Sequence, residues 1–204
     1  MKKGKVAVFL SGRGSNFESI YRASLKKESN YEIAIVISNK KNARGLKIAK
    51  KFKLKNFYVS SKSFKSKKEY NQYIIRLLEM NKVDLVCLAG FMRIIDPEFI
   101  EEYKNRIINI HPALLPSFPG LNAQKQAIDH GVKVSGCTVH FVDSGIDTGP
   151  IILQKPVKIK SNDNEELLSK RILKEEHKIY PDAIKLFFEN RLKIDGRKVI
   201  ILER

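Results

Sequence analysis

Asn109 and His111 stand two residues apart in the apolar run Ile107-Ile108-Asn109-Ile110-His111-Pro112. Alternate side chains of a strand share a face, so this spacing puts a carboxamide and an imidazole on the same side. Pro112 closes the run and leaves both groups at its carboxyl end, where open α/β sheets bind their ligands. An amide can donate to a developing oxyanion, and an imidazole transfers protons near neutral pH, so the pair suits acyl-type chemistry. A lone buried histidine would more often be a core residue satisfied by backbone carbonyls, and the pairing is what argues otherwise. Asp147 lies in the short loop Asp143-Ser144-Gly145-Ile146-Asp147-Thr148-Gly149, whose glycines permit unusual dihedrals. Two uses fit it: orienting and charge-stabilising His111, as the acid of a Ser-His-Asp arrangement does, or closing an Asx-turn. No nucleophilic serine matches such an arrangement, which favours direct transfer between two substrates.

A second group of residues could bind an anion. Ser11-Gly12-Arg13-Gly14-Ser15-Asn16 joins a first strand to a first helix, where backbone amides and the helix dipole favour negative charge. Phe17 stands where a dinucleotide fingerprint needs its third glycine, and the second strand ends in Ser38-Asn39-Lys40 with no acid, so NAD binding is disfavoured. The P-loop spacing is also absent. A monophosphate site and an ordinary tight turn with Asn16 as helix N-cap remain equal readings. Phe91-Met92-Arg93-Ile94-Ile95 follows an apolar strand through Gly90 and either lines a ring-binding cleft or packs in the core. Glu176 falls beside the Leu168 and Ile172 stripe of a helix, where it meets an acceptor's hydroxyls or amine or snorkels to solvent.

The elements that must position these groups follow from periodicity. Apolar runs at 5–10, 32–38, 57–60, 83–89 and 107–110 read as strands. Helical patterns at 16–27, 43–52, 66–81 and 97–103 lie between them. This alternation predicts an α/β fold, a Rossmann-like, mostly parallel mixed sheet with helices on both faces. After Gly131 the rhythm changes: strands at 132–142 and 150–159 flank the Asp147 loop, too short for a crossover helix, and predict an antiparallel C-terminal portion. A long helix follows, with Asp163 and Glu166 as a capping box and Pro181 kinking or dividing it, and Asp195-Gly196 suits a hairpin turn.

The 204 residues suit one domain, 1–204, and 43% hydrophobic with 30% charged residues is the balance of a globular chain. With no bilayer-length apolar run or secretory segment, the expected location is cytoplasmic. Cys87 and Cys137 sit singly in apolar runs, so core thiols are expected and no metal site. The net charge of +17 is uneven: residues 33–68 hold twelve Lys or Arg and no Asp or Glu. A solvated lysine-rich surface ranks first, steering of anionic substrates second and RNA binding third.

The chain resembles the phosphoribosylglycinamide formyltransferase family, folate-dependent enzymes of purine synthesis. The resemblance rests on Ser11 to Asn16, Leu88-Ala89-Gly90-Phe91-Met92-Arg93-Ile94, Asn109-Ile110-His111-Pro112-Ala113-Leu114-Leu115-Pro116, Phe118-Pro119-Gly120, His140-Phe141-Val142 and Asp147-Thr148-Gly149-Pro150-Ile151-Ile152. It implies that 10-formyltetrahydrofolate is the co-substrate, without a metal, and that phosphoribosylglycinamide accepts the formyl group. It implies Asn109, His111 and Asp147 as the catalytic set. It also implies Gly14, Ser15, Asn16, Phe17, Glu18 and Glu176 at the acceptor and its phosphate. For the folate it implies Lys67, Met92, Arg93, Ile94, Ile95 and Asn109. Lys67 stands where relatives carry arginine, which keeps the charge without the fork, and Asn122 departs from a histidine. Small-molecule substrates are the expected partners, with no membrane, nucleic acid ranked last, and a monomer or homodimer. Methionyl-tRNA formyltransferase and formyltetrahydrofolate deformylase share the core motifs, but each carries a further domain, so a chain of this length is expected to be neither.

Overall fold

The computed structural model describes residues 2–203 and divides into two compact units, Met1–Ile108 and Asn109–Arg204. Met1 and Arg204, the ends of the expected 1–204 domain, lie outside the described residues.

In the first unit β1 (Gly4–Leu10), α1 (Ser15–Ser24), β2 (Tyr31–Ser38), α2 (Arg44–Lys51), β3 (Asn56–Tyr58), α3 (Lys67–Met80), β4 (Leu85–Leu88) and α4 (Pro97–Glu102) alternate as the periodicity requires. The strand order is β3-β2-β1-β4, and β1 pairs parallel with both β2 and β4. Parallel strands covered on both faces must be apolar throughout, and Val6 to Leu10 and Ile35 to Ile37 are at most 2% exposed. Each Val, Leu, Ile or Phe among them contributes about 1.5–3 kcal/mol on burial. Helix starts are fixed by caps: Ser66 Oγ accepts from Glu69 N, and Asp96 caps α4 ahead of Pro97.

β5 (Ile107–His111) runs across the division, and the second unit continues with α5 (Ala123–Asp129), β6 (Val134–Phe141), β7 (Ile151–Lys158), α6 (Glu165–Phe188), β8 (Leu192–Asp195) and β9 (Lys198–Ile201). Its strand order is β5-β6-β7-β9-β8, with β6 antiparallel to β7 and β8 antiparallel to β9. The antiparallel C-terminal portion is therefore present. Gly196 turns the final hairpin at φ 56°. Both cysteines are buried, free thiols, and burial first, then Glu176 and Glu175, push the Cys137 thiol up to about 12.

Several local expectations change. The N-cap of α1 is Gly14 at φ 77°, not Asn16, because the chain must turn through the left-handed region to enter the helix. The N-cap of α6 is Asn164, whose Oδ1 accepts from Leu167 N at 2.9 Å, while Asp163 binds Arg171 instead. That guanidinium holds the Asp163 carboxyl down to about 2. Pro181 lies inside α6, which continues unbroken to Phe188. The short helix α5 carries no sequence signal that the periodicity picked out.

Candidate active site

The second unit brings Asn109, His111 and Asp147 together. β5 aims its alternate side chains at one carboxylate, and each takes a different oxygen: Asn109 Nδ2 lies 3.4 Å from Asp147 Oδ1, and His111 Nδ1 3.2 Å from Oδ2. Oδ2 also accepts from the Gly120 amide at 2.8 Å. Asp147 itself occupies the left-handed region at φ 54°. The flanking glycines serve a different need from the expected one. At Gly149 an added Cβ would run into the Phe141 carbonyl oxygen, and at Gly145 into the Thr148 side chain, so crowding and not positive φ excludes larger residues. Asp143 rather than Asp147 makes the local turn, its Oδ1 accepting from Gly145 N and the Thr148 hydroxyl.

His111 is 4% exposed, and its Nε2 lies 2.8 Å from the Phe118 carbonyl. Phe118, Gly120 and Asn122 all have positive φ, an arrangement uncommon for phenylalanine and held here where it delivers one carbonyl and one amide to the site. A carbonyl only accepts, so Nε2 carries a hydrogen, and only an imidazolium would satisfy Asp147 as well. Burial opposes that charge and is the largest influence, so the His111 pKa lies below its ordinary 6.5 although Asp147 and the Phe118 carbonyl raise it. The raised pKa that a permanently cationic His111 would need is therefore not found. For Asp147, burial would raise the carboxyl, but the His140 ring, the Gly120 amide and His111 outweigh it and hold it below the usual value.

A further histidine belongs to this group. His140 on β6 is 2% exposed, with Nε2 3.2 Å from Asn109 Nδ2 and 3.6 Å from Asp147 Oδ1. The reading of the sequence gave His140 no role. Its signal was Thr138 and His140, two buried polar residues two apart in a strand that also buries Ser135. Glu176 is also in this unit, 6% exposed on α6, so it does not snorkel to solvent.

The first unit holds the remaining residues. The first helical bond of α1 runs from Glu18 N to Gly14 O at 2.9 Å, so the amides of residues 15–17 precede it at the positive end of the helix. Gly14 packs so closely that an added Cβ would lie 2.6 Å from Gly45 Cα. The Phe17 side chain is fully buried beside Phe52, which leaves only its backbone to a ligand, and the Glu18 carboxylate binds Arg22 at 2.6 Å. Ser11 Oγ accepts from Met92 N at 2.7 Å and Ser11 N donates to Gly90 O, so the turn after β1 is tied to the loop after β4. That loop leaves Met92 and Ile94 exposed. Lys67, Arg93, Ile94 and Ile95 line one cleft of about 370 Å³ with Phe9, Phe91 and Tyr70. Arg93 stacks over the Tyr70 ring at 4.9 Å and donates to Ser61 Oγ.

Among the described residues no cluster of His, Cys, Asp and Glu could hold a metal ion, and no helix is long and apolar enough to cross a membrane.

The sequence pattern described as Formyl transferase matches residues 4–184. The chain is 46% identical over 183 residues to phosphoribosylglycinamide formyltransferase of Bacillus subtilis, covering 89% of this chain and 93% of that one. It is 44% identical over 185 residues to the trifunctional purine biosynthetic protein adenosine-3 of Homo sapiens, covering 91% of this chain but only 18% of that protein's length. The crystal structure of glycinamide ribonucleotide transformylase 1 from Symbiobacterium toebii superposes with a TM-score of 0.96 at 45% identity, over 98% of this chain and 95% of that one.

Proposed function

The chain belongs to the formyl transferase family, and we propose on that premise that it transfers the formyl group of 10-formyltetrahydrofolate to the amine of 5′-phosphoribosylglycinamide, as a step of purine synthesis. The observation that carries the reading is one partly buried carboxylate, Asp147, holding an amide on one oxygen and an imidazole on the other. Acyl transfer needs a donor for the oxyanion and a group that moves a proton between two nitrogens, and this trio supplies both. The other contacts of the trio, His140, the Phe118 carbonyl and the Gly120 amide, include no serine or cysteine, which suits direct transfer.

In this reading the acceptor amine attacks the formyl carbon, forming the new C–N bond and placing negative charge on the formyl oxygen. Asn109 Nδ2–H donates to that oxygen. His111, neutral at rest, takes the proton released by the attacking nitrogen, and Asp147 stabilises the imidazolium for as long as it exists. The proton then passes to the departing folate nitrogen as its bond to carbon breaks. A group charged only during the reaction contributes selectively to the transition state.

The residues of the first unit fit the two substrates chemically. The cleft of about 370 Å³ combines Phe9, Phe91 and Ile95 with the cations Lys67 and Arg93, a composition suited to flat rings that end in carboxylates. The α1 amino terminus behind Gly14, with Ser15, Asn16 and the Phe17 amide, suits a monophosphate. In the second unit, taken by itself, the Glu176 carboxylate suits an acceptor's hydroxyls or amine. The reading takes 1–204 as one formyltransferase domain.

The test is a formyl-transfer assay with purified protein and 10-formyltetrahydrofolate, offering phosphoribosylglycinamide, water or initiator tRNA as the competing acceptors. Formylated glycinamide is the expected product. Free formate or formylated tRNA as the main product would replace this reading with one of its relatives.

A further inference from the structure

We propose that His140 is a positioning residue that fixes which face of the Asn109 carboxamide meets the reacting carbonyl. The proposal rests on the reading above, in which Asn109 donates to the oxyanion. His140 Nδ1 lies 2.8 Å from the Phe141 carbonyl oxygen, which can only accept, so Nδ1 carries a hydrogen. Its Nε2 lies 3.2 Å from Asn109 Nδ2, which can only donate, so Nε2 presents a lone pair. The neutral ring protonated at Nδ1 satisfies both contacts, with Asp147 Oδ1 farther from Nε2, at 3.6 Å and beyond hydrogen-bond distance.

A lone pair at that position decides the orientation of the amide. With Nδ2 inward, one amide hydrogen goes to His140 and the other faces Asp147 Oδ1 at 3.4 Å. Rotating the carboxamide would set its oxygen against the His140 lone pair and against a carboxylate oxygen together, two repulsions in place of two attractions. The hydrogen held by His140 is the anchor. The hydrogen on the long Asp147 contact is the one available to a developing oxyanion.

The backbone supports the same conclusion. The β6–β7 pairing shifts register between Val139 and His140, with Val139 opposite Leu153 but His140 opposite Ile151. Such an irregularity re-aims a side chain next to a site. The ring is also 2% exposed and is anchored by its neighbour's carbonyl, so its direction is set before substrate arrives.

Three variants test the proposal. His140→Ala removes the lone pair and is expected to lower kcat about 10- to 100-fold, less than outright loss of an oxyanion donor, with both KM values within about threefold. His140→Gln places an accepting oxygen near the former Nε2 position and should recover most of the rate. His140→Asn reaches only as far as Nδ1 and should not. Wild-type kcat in the alanine variant, or equal rates in the glutamine and asparagine variants, would overturn the role. The second comparison still decides if the alanine variant fails to fold. A readout independent of catalysis is the pair of Asn109 side-chain amide resonances in ¹⁵N–¹H spectra, which should change in His140→Asn and stay close to wild type in His140→Gln. If the wild-type protein makes no formylated glycinamide, the proposed function has failed, and these resonances alone judge the positioning: no change in His140→Asn would overturn it.

Discussion

At His111 burial and hydrogen bonding pull in opposite directions. Two acceptors face the ring nitrogens, yet the ring is 4% exposed and its pKa is depressed. This combination suits a group that should be neutral at rest and charged in the transition state. An NMR titration of the ligand-free protein should therefore place the His111 midpoint below 6.5, rising when both substrates or an analogue of the tetrahedral intermediate bind. A midpoint above 6.5 without ligand would remove the neutral resting state from the mechanism. The same shift has a sign in stability. A histidine with its folded pKa below its unfolded value contributes fully above about 6.5 and loses that contribution as pH falls through the folded value. Tm should thus drop on acidification from pH 7, and more shallowly in a His111→Asn protein; equal slopes would contradict the assignment. His111→Ala and Asp147→Asn should each lower kcat by about two orders of magnitude or more while circular dichroism stays native. Near-normal turnover in either would sink the catalytic set.

The elements around the site are constrained more by crowding than by intrinsic propensity. Gly14 combines a φ of 77° with a neighbour that an added Cβ would meet at 2.6 Å, so no other residue enters α1 at this angle without cost. Gly14→Ala should cost about 1–2 kcal/mol from the dihedral alone. That corresponds to a Tm lower by roughly 2–8 °C for a chain of this size. Under the proposed function it should also raise KM for the phosphorylated acceptor more than it lowers kcat. An unchanged KM would argue that the turn is structural only. Gly149 differs, since its added Cβ would meet the Phe141 carbonyl and the loop carrying Asp147 would have to shift. A kcat loss comparable to that of Asp147→Asn is expected there, and full activity in Gly149→Ala would show that the loop tolerates displacement.

At the scale of the whole chain the charge distribution is the outstanding feature. All twelve cations of residues 33–68 are exposed, and among the described residues none of them forms an ion pair. On α2, Lys47, Lys50 and Lys51 lie outside while Gly45 and Ala49 are buried, as on an ordinary solvated helix face. Gel-shift measurements at physiological salt should accordingly show no tight RNA binding. Salt-sensitive binding at submicromolar concentration would give this surface a second partner.

The sequence by itself determined the β-α alternation, because hydrophobic period is a local property, and the antiparallel turn around Asp147, because a seven-residue loop cannot hold a crossover helix. It also determined that Asn109 and His111 share a face, since strand geometry fixes that without knowledge of neighbours. The caps at Gly14 and Asn164, the passage of α6 through Pro181 and the place of α5 were not legible, because each depends on what packs against the chain there. The tertiary structure alone decided that one carboxylate meets both the Asn109 amide and the His111 imidazole. It also decided that burial outweighs that carboxylate and lowers the His111 pKa, and that His140, 29 residues further along the chain than His111, lies within hydrogen-bond distance of the Asn109 amide. Contacts between groups remote in sequence, and the desolvation that accompanies them, exist only once the strands and loops have been assembled.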